Sequence, residues 1–145
     1  MTAASEHEAM QKHVREQTAA LLRRLAYAAN RGAKSVAPDG VHDLRVAIRR
    51  LSLCLKLFSQ FLPPAAVKKI RRNLKDLMEL SSEVRNRDVA LAFLAKAEVP
   101  PDSVLVTSIA GMREEFERRL RIALRGWSRR HKFRKWRADL ELQNS

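Results

Sequence analysis

The most regular pattern of apolar residues in the chain lies between Val41 and Leu62. Within this stretch the apolar positions follow each other at intervals of three and four residues, as on one face of an amphipathic α-helix. These positions are Leu44, Ile48, Leu51, Leu55, Phe58 and Leu62. The pattern predicts a central helix that turns this stripe of side chains toward the protein core.

The same helix carries a narrow strip of basic residues well away from the apolar stripe. At about 100° per residue, the strip contains His42, Arg45, Arg49 and Lys56. A second apolar band borders the strip on its far side, with Arg50 beside it, and consists of Val46, Leu53 and Leu57. Cations stacked between two apolar bands repel each other unless an anion joins them. The strip therefore predicts one half of an anion-binding groove.

Similar spacing elsewhere predicts an all-α protein, an antiparallel helical bundle of about four to five helices. The other helices are predicted from about Ser5 to Asn30, from Pro64 to Leu80, from Arg85 to just before Pro100, and from Asp102 or Ser103 onward. The predicted helix-end residues are Ser5 as an N-cap, Gly32 as a C-terminal glycine, Asp39 as the N-cap of the central helix, and Pro64 in a first turn.

The remaining helices also have predicted inner faces. Their members are Met10, Val14, Leu21, Leu25 and Ala28 in the first helix, Val67, Ile70, Leu74, Leu77 and Met78 in the third, and Ile109, Met112, Phe116, Leu120, Ala123 and Trp127 in the last. Basic residues line one flank of the third helix, at Lys68, Arg71, Arg72 and Lys75. Snorkelling side chains often cover a helix flank in this way, so this set is consistent with either a solvated face or an anion site.

The overall charge points to a polyanionic partner. The 145 residues include 29 Lys and Arg against 16 Asp and Glu, a formal net charge of +13. Nine of these basic residues lie between Val41 and Lys75, where Asp43 is the one acid. Nucleic acid, an anionic membrane surface and polyphosphate all carry the complementary charge. In a solvated face acids normally alternate with bases, so Arg45, Arg49 and Arg50 favour an anion site.

The length predicts a single domain over residues 1–145, with a core from about 5 to 130 and a basic, aromatic tail over 128–145. In this tail Phe133 and Trp136 alternate with cations. Such a pattern can stack on bases or lie at a membrane surface, and Trp136 can equally close the end of the bundle. The single cysteine, Cys54, excludes an internal disulfide and is predicted to be a small core residue.

Several functional classes find no support in the sequence. There is no P-loop, no GxSxG motif and no Cys–His arrangement with an obvious base, so no catalytic activity is expected. His7, His13, His42 and His131 are scattered without metal-ligand spacing, so neither a metal nor another cofactor is expected. No signal-like start and no run of ~20 apolar residues is present. The expectation is a cytoplasmic protein without a membrane partner.

Two segments of the chain resemble the CHAD domain, the conserved histidine α-helical domain. The first, VHDLRVAIRRL, matches the pattern H-D-x-R-V-x-x-R-R-L at Val41, His42, Asp43, Arg45, Val46, Arg49, Arg50 and Leu51. The second, LKDLMELSSEVRNRDVAL, matches an x-V-R-D-x-D-V segment at Val84, Arg85, Asp88 and Val89. It departs from that segment at Asn86, where the family usually has Asp. The residues themselves favour a structural ion pair between Arg85 and Asp88.

This resemblance, which spans roughly residues 14 to 130, carries implications for fold and function. CHAD domains are helical and bind inorganic polyphosphate, a linear polymer of phosphate, in a basic channel. They usually contain two helical bundles in tandem, whereas this chain is long enough for one. Either a later helix or a second subunit can cover the band of Val46, Leu53 and Leu57, and the resemblance points to the second subunit, in a homodimer.

Together these observations predict a non-catalytic polyphosphate-binding protein. The predicted binding residues are His42, Arg45, Arg49, Arg50, Lys56, Lys68, Arg71, Arg72 and Lys75. Phosphate or sulfate ions are expected to be able to occupy the same site, and polyphosphate granules are a candidate location. Two alternatives remain open: an RNA- or DNA-binding module that uses the same face and the tail, and a subunit whose basic strip meets an acidic protein.

Overall fold

The structure is all-α, but its helices differ from the predicted ones in several boundaries, and two predicted helices form one continuous helix. The computed structural model describes residues 2–142, and within them it has five α-helices, one 3₁₀ turn and no strand. The helices are α1 (Ala3–Lys34), α2 (Pro38–Leu57), α3 (Pro64–Lys96), α4 (Val104–Arg129) and α5 (Lys132–Asp139), and the 3₁₀ turn is Ser59–Phe61. The prediction of an all-α helical bundle is confirmed.

The four long helices surround one core. Helix α2 packs between α1 and α3, and α4 completes the ring by packing against both α1 and α3. Helix α5 contacts α1, α3 and α4, so it packs on the bundle rather than extending from it. In the part of the chain covered by 2–142, each helix is too short or too polar to cross a membrane.

The central stripe of α2 is buried as its spacing predicts. Leu44, Ile48, Leu51 and Leu55 are each at most 1% exposed, and Cys54 lies beside them in the core. Phe58 is 37% exposed because α2 ends at Leu57 and the 3₁₀ turn redirects the chain. Two methionines assigned to the core, Met10 and Met112, are instead exposed.

Helix α3 is one continuous helix, so the predicted break between Leu80 and Arg85 is wrong. Ser81 and Ser82 lie at the predicted break, but no proline or glycine interrupts residues 65–96. Both serine hydroxyls donate to the carbonyl oxygen of Met78, at 2.9 and 2.8 Å. Serine can make this bond within a helix because its side chain reaches back by one turn.

The helix ends differ from three of the four predictions. Thr2, not Ser5, caps α1, since its hydroxyl accepts from the Ser5 backbone N–H at 3.1 Å. Ala37 precedes α2, and Asp39 lies inside its first turn. Pro64 does begin α3, as predicted. The start of α4 also matches its prediction: Ser103 caps it and accepts from the N–H of Val106.

Gly32 does not end α1, which continues to Lys34. It is buried against α4, where a Cβ atom would lie 2.5 Å from Cδ1 of Leu124. The glycine is therefore needed for the close approach of α1 and α4, not for a helix terminus.

The C-terminal segment belongs to the core. Trp136, Leu140 and Leu142 are each at most 2% exposed. Trp136 packs edge-on against Trp127, with ring centroids 5.0 Å apart, and Phe133 completes the cluster. Trp136 therefore closes the end of the bundle and cannot stack on a base. Residues 143–145 of the predicted tail lie outside the described residues.

Arg113 on α4 connects three elements that lie far apart in the sequence. Its Nε atom lies 2.8 Å from Asp88 Oδ1 on α3, and its Nη2 donates at 2.7 Å to the carbonyl oxygen of Val36, before α2. Its Nη1 pairs with Glu117 one turn along α4. The predicted ion pair between Arg85 and Asp88 is therefore wrong, because Arg113 takes the carboxylate.

Candidate polyanion-binding groove

A groove of about 780 Å³ runs between α2 and α3. Six of the nine predicted binding residues line it: Arg49, Lys56, Lys68, Arg71, Arg72 and Lys75. Ile48, Leu53, Leu74 and Met78 supply apolar surface between these cations, and Ser52 supplies a hydroxyl. We call this feature the α2–α3 groove.

The two helices bring these cations together through their spacing. Arg49 and Lys56 are seven residues apart on α2, so both lie on the flank that meets α3. Lys68, Arg71 and Lys75 follow at intervals of three and four on the facing flank of α3. The basic flank and the basic strip predicted from the sequence are therefore the two walls of one groove.

The charge of the α2–α3 groove is not neutralised from within. All six cations are exposed, and none of them pairs with a carboxylate anywhere in residues 2–142. Glu79 is the one acid among the lining residues. Six cations facing one carboxylate create a positive field that an external anion can neutralise.

Arg45 extends the line of cations toward the N-terminal end of α2. It is partly buried and donates from Nη1 to the hydroxyls of Ser82 and Ser81 on α3. Burial, followed by the charges of Arg85 and Arg49, lowers the pKa of Arg45. The positive charges of Arg49, Arg45 and Arg85 therefore act on one another, and an anion bound beside them would relieve the repulsion.

His42 and Arg85 lie at the end of this line. Both border a smaller depression of about 190 Å³ together with Asp88. His42 is exposed and makes no hydrogen bond within the described residues. The carboxylate of its neighbour Asp43 pairs with Arg31 instead, at 3.1 Å. Arg85 is also exposed and without an ion-pair partner in the same part of the chain. Sequence reasoning assigned Arg85 a structural role and so left it out of the site.

Arg50 lies apart from the six predicted binding residues that line the α2–α3 groove. It borders a separate cleft of about 430 Å³ between α1 and α2, the α1–α2 cleft. His42 lines this cleft as well. Arg24, Tyr27 and Arg31 of α1 complete its polar lining, and nothing in their local sequence pattern indicated this role.

The apolar band of α2 is uncovered. Leu53 is 54% and Leu57 62% exposed, whereas Val46 is partly buried. No helix in residues 2–142 packs over Leu53 and Leu57, so the intramolecular contact considered for this band is absent there.

A second concentration of cations lies around the C-terminal aromatic cluster. Burial, together with Arg130, Lys69 and Lys135, lowers the pKa of Lys132. The ammonium of Lys132 lies 5.8 Å from the centroid of the Trp127 ring, within reach of a cation–π interaction. Because these rings pack on each other, this surface offers positive charge with little free aromatic face.

The described residues contain no group of three or more His, Cys, Asp or Glu side chains that could hold a metal ion. His7, for example, stacks on Phe61 with ring centroids 5.1 Å apart. The side chains of the α2–α3 groove can act on an anion through hydrogen bonds and charge.

A sequence model of the CHAD domain matches residues 9–143, nearly the whole chain. This match includes both motifs, the α2–α3 groove and the C-terminal cluster. Comparisons with curated proteins and with solved structures gave no significant match.

Proposed function

The chain belongs to the CHAD domain family, and we propose that it binds inorganic polyphosphate in the α2–α3 groove without acting on it chemically. One observation carries the proposal: six exposed cations without ion-pair partners in residues 2–142 line a single groove that contains one carboxylate. The family's link to polyphosphate supports this choice of anion. Free phosphate or sulfate would bind the same groups more weakly, because each offers fewer charges.

The chemistry of the lining residues suits a chain of phosphates. Arginine guanidinium groups can hold phosphate oxygens through two parallel hydrogen bonds and stay charged at any relevant pH. Lysines add point charges that adapt to the position of the next phosphate. Arg49 and Arg71 would supply the paired bonds, while Lys56, Lys68 and Lys75 would supply neutralising charge.

The shape of the groove favours a thin polymer. Packed helices lie ~8–10 Å apart, so a groove between their flanks admits a single chain more easily than the bulk of a duplex. In many protein–DNA complexes a protein helix enters the major groove of the duplex, which is ~12 Å wide. Here the polymer would instead enter a groove between two protein helices. The proposed ligand therefore lies between the helices rather than around them.

The proposed function is non-catalytic because of the residues in the groove. Hydrolysis of phosphoanhydrides generally uses metal ions held by clustered carboxylates. The lining residues provide Glu79 alone as an acid. Binding to polyphosphate would bring the protein to granules of this polymer in the cytoplasm, which is its proposed location.

Competition binding tests the choice of polyanion. We expect long-chain polyphosphate to displace single-stranded RNA and duplex DNA at near-physiological salt when the polymers are added at equal total charge. Displacement of bound polyphosphate by nucleic acid should require an excess of nucleic acid. The reason is the narrow groove and the lack of a free aromatic platform at Trp136, since base stacking contributes ~1–3 kcal/mol per base in single-strand binders. Equal or tighter binding of RNA would support the nucleic-acid alternative instead.

The uncovered band of α2 supports a second part of the proposal, a two-fold homodimer with the band at its interface. Two-fold dimers are the commonest protein oligomers and bring the same patch of both subunits together. The α2–α3 grooves of the two subunits would then face each other. Their like charges oppose association, so a polyanion shared between them is expected to stabilise the dimer.

Sedimentation with and without long-chain polyphosphate tests the dimer. We expect the dimer fraction to rise with polymer, and Leu57→Asp to abolish this rise because it places a charge in the apolar interface at a residue that does not line the α2–α3 groove. Val104→Asp is the matched control, since Val104 is 85% exposed at the start of α4, away from the band. A protein that stays monomeric in both conditions, yet binds with full affinity, would exclude the dimer.

A further inference from the structure

The α1–α2 cleft is a second concentration of cations beside the proposed site. Arg24 and Arg31 on α1 face Arg50 on α2 across its opening. Asp43 is the one acid in the lining, and Arg31 already pairs with it at 3.1 Å and approaches Asp39 at 3.9 Å. The positive charges of Arg24 and Arg50 are therefore available to an external anion, because neither residue has a carboxylate partner in residues 2–142.

Basic residues link the cleft to the α2–α3 groove around the N-terminal end of α2, where Arg45 donates to Ser82 of α3, three residues before Arg85. His42 lines the cleft and also borders the depression that contains Arg85. Arg85 lies close enough to Arg45 to lower its pKa, and Arg49 does the same from the groove side. The cations therefore follow one another from the groove, past Arg45 and Arg85, to His42 and into the cleft.

We propose that the α1–α2 cleft is a second binding segment for the same polyphosphate chain, which turns around the N-terminal end of α2 at His42. This inference rests on the proposed function and adds a preference for long chains. The groove side of α2 from Lys56 to His42 alone spans fourteen residues, or about 21 Å at a rise of ~1.5 Å per residue. A short oligophosphate fills part of the groove, whereas a long polymer also reaches Arg50 and Arg24.

Binding to both segments raises affinity because the second contact is intramolecular. Once the groove holds one part of the polymer, the next part is at high effective concentration near the cleft. Leu57 lines neither the groove nor the cleft, so the second segment leaves this part of the proposed dimer interface uncovered.

The double variant Arg24→Gln with Arg50→Gln tests this segment. Both side chains are exposed, so the thermal unfolding midpoint should stay unchanged. In titrations at near-physiological salt, we expect affinity for long-chain polyphosphate to fall by about tenfold, since effective-concentration gains of this order or larger are typical. The loss for tripolyphosphate should be below about twofold, because that ligand does not span both segments.

The control is Arg23→Gln with Arg134→Gln, which removes the same charge from exposed positions outside both segments. It should leave binding of both ligands near the wild-type level. The second segment would be overturned if the double variant lost the same affinity for both ligands, or if the control lost as much affinity as the double variant. Either result would leave the proposal for the α2–α3 groove intact. Wild-type protein that binds neither ligand would overturn the proposed function itself.

Discussion

Replacing Arg113 with methionine is expected to lower the free energy of unfolding by about 2–4 kcal/mol, the range for breaking one side of a largely buried ion pair. The side chains of Arg113 and Asp88 are each only 17% exposed. Methionine keeps much of the aliphatic volume but removes the charge and the donors. Urea denaturation followed by circular dichroism measures the change.

The size of this effect follows from what the substitution leaves behind. Asp88 would remain as an uncompensated carboxylate, and its Oδ2 atom is already buried without a hydrogen-bond partner within the described residues. The carbonyl oxygen of Val36 would also lose its donor. Unpaired buried groups of this kind cost more than the original bonds contribute.

Arg118→Met is the matched control for Arg113→Met. Arg118 pairs with Glu115 on the surface of the same helix, and its side chain is 63% exposed. Exposed pairs contribute at most about 1 kcal/mol, so this variant should unfold close to the wild type. If Arg113→Met and Arg118→Met gave the same unfolding midpoint, the three-way contact of Arg113 would have no special role.

The local sequence pattern predicted the elements that depend on spacing along one helix. The buried stripe from Leu44 to Leu55 follows directly from the three- and four-residue intervals. The groove was predictable in part for the same reason, because each of its walls is a periodic set of cations on one helix flank. Cys54 was also predictable, since it lies within the buried face of a well-defined helix.

Contacts between distant segments were not predictable in this way. Arg113 binds groups 25 and 77 residues away, at Asp88 and Val36, and no periodic pattern encodes these pairs. Gly32 looked like a helix end because glycine often has that role, whereas its neighbour across the bundle, Leu124, decides its position. The contact of Arg45 on α2 with the hydroxyls of Ser81 and Ser82 on α3 was likewise not predicted, because it joins residues 36 and 37 positions apart.

The triple variant Arg49→Gln, Arg71→Gln and Lys75→Gln is expected to weaken binding of long-chain polyphosphate by at least about 100-fold. A well-placed hydrogen bond to a charged group contributes about 1.5–3 kcal/mol, and ~2.7 kcal/mol already corresponds to a factor of 100. The expected loss is smaller than the sum of three such bonds because these side chains are exposed to water. The dependence of affinity on salt should also become less steep, since fewer cations are neutralised.

Folding should not limit the interpretation of this variant. Arg49, Arg71 and Lys75 are exposed and make no ion pair in the part of the chain covered by 2–142. Their removal also reduces repulsion within the groove, so the unfolding midpoint should be unchanged or slightly higher. A loss of binding with retained stability can then be assigned to the groove.

A parallel titration of long-chain polyphosphate into three proteins tests the location of the binding site most directly. These are the wild type, the groove variant, and a control with Arg129→Gln, Arg130→Gln and Arg134→Gln, three exposed arginines near the C-terminal aromatic cluster. Both variants lose three charges, so non-specific attraction falls equally. We predict the loss of at least about 100-fold for the groove variant alone, with the control within about threefold of the wild type. A control that loses as much affinity as the groove variant, or more, would contradict binding in the α2–α3 groove.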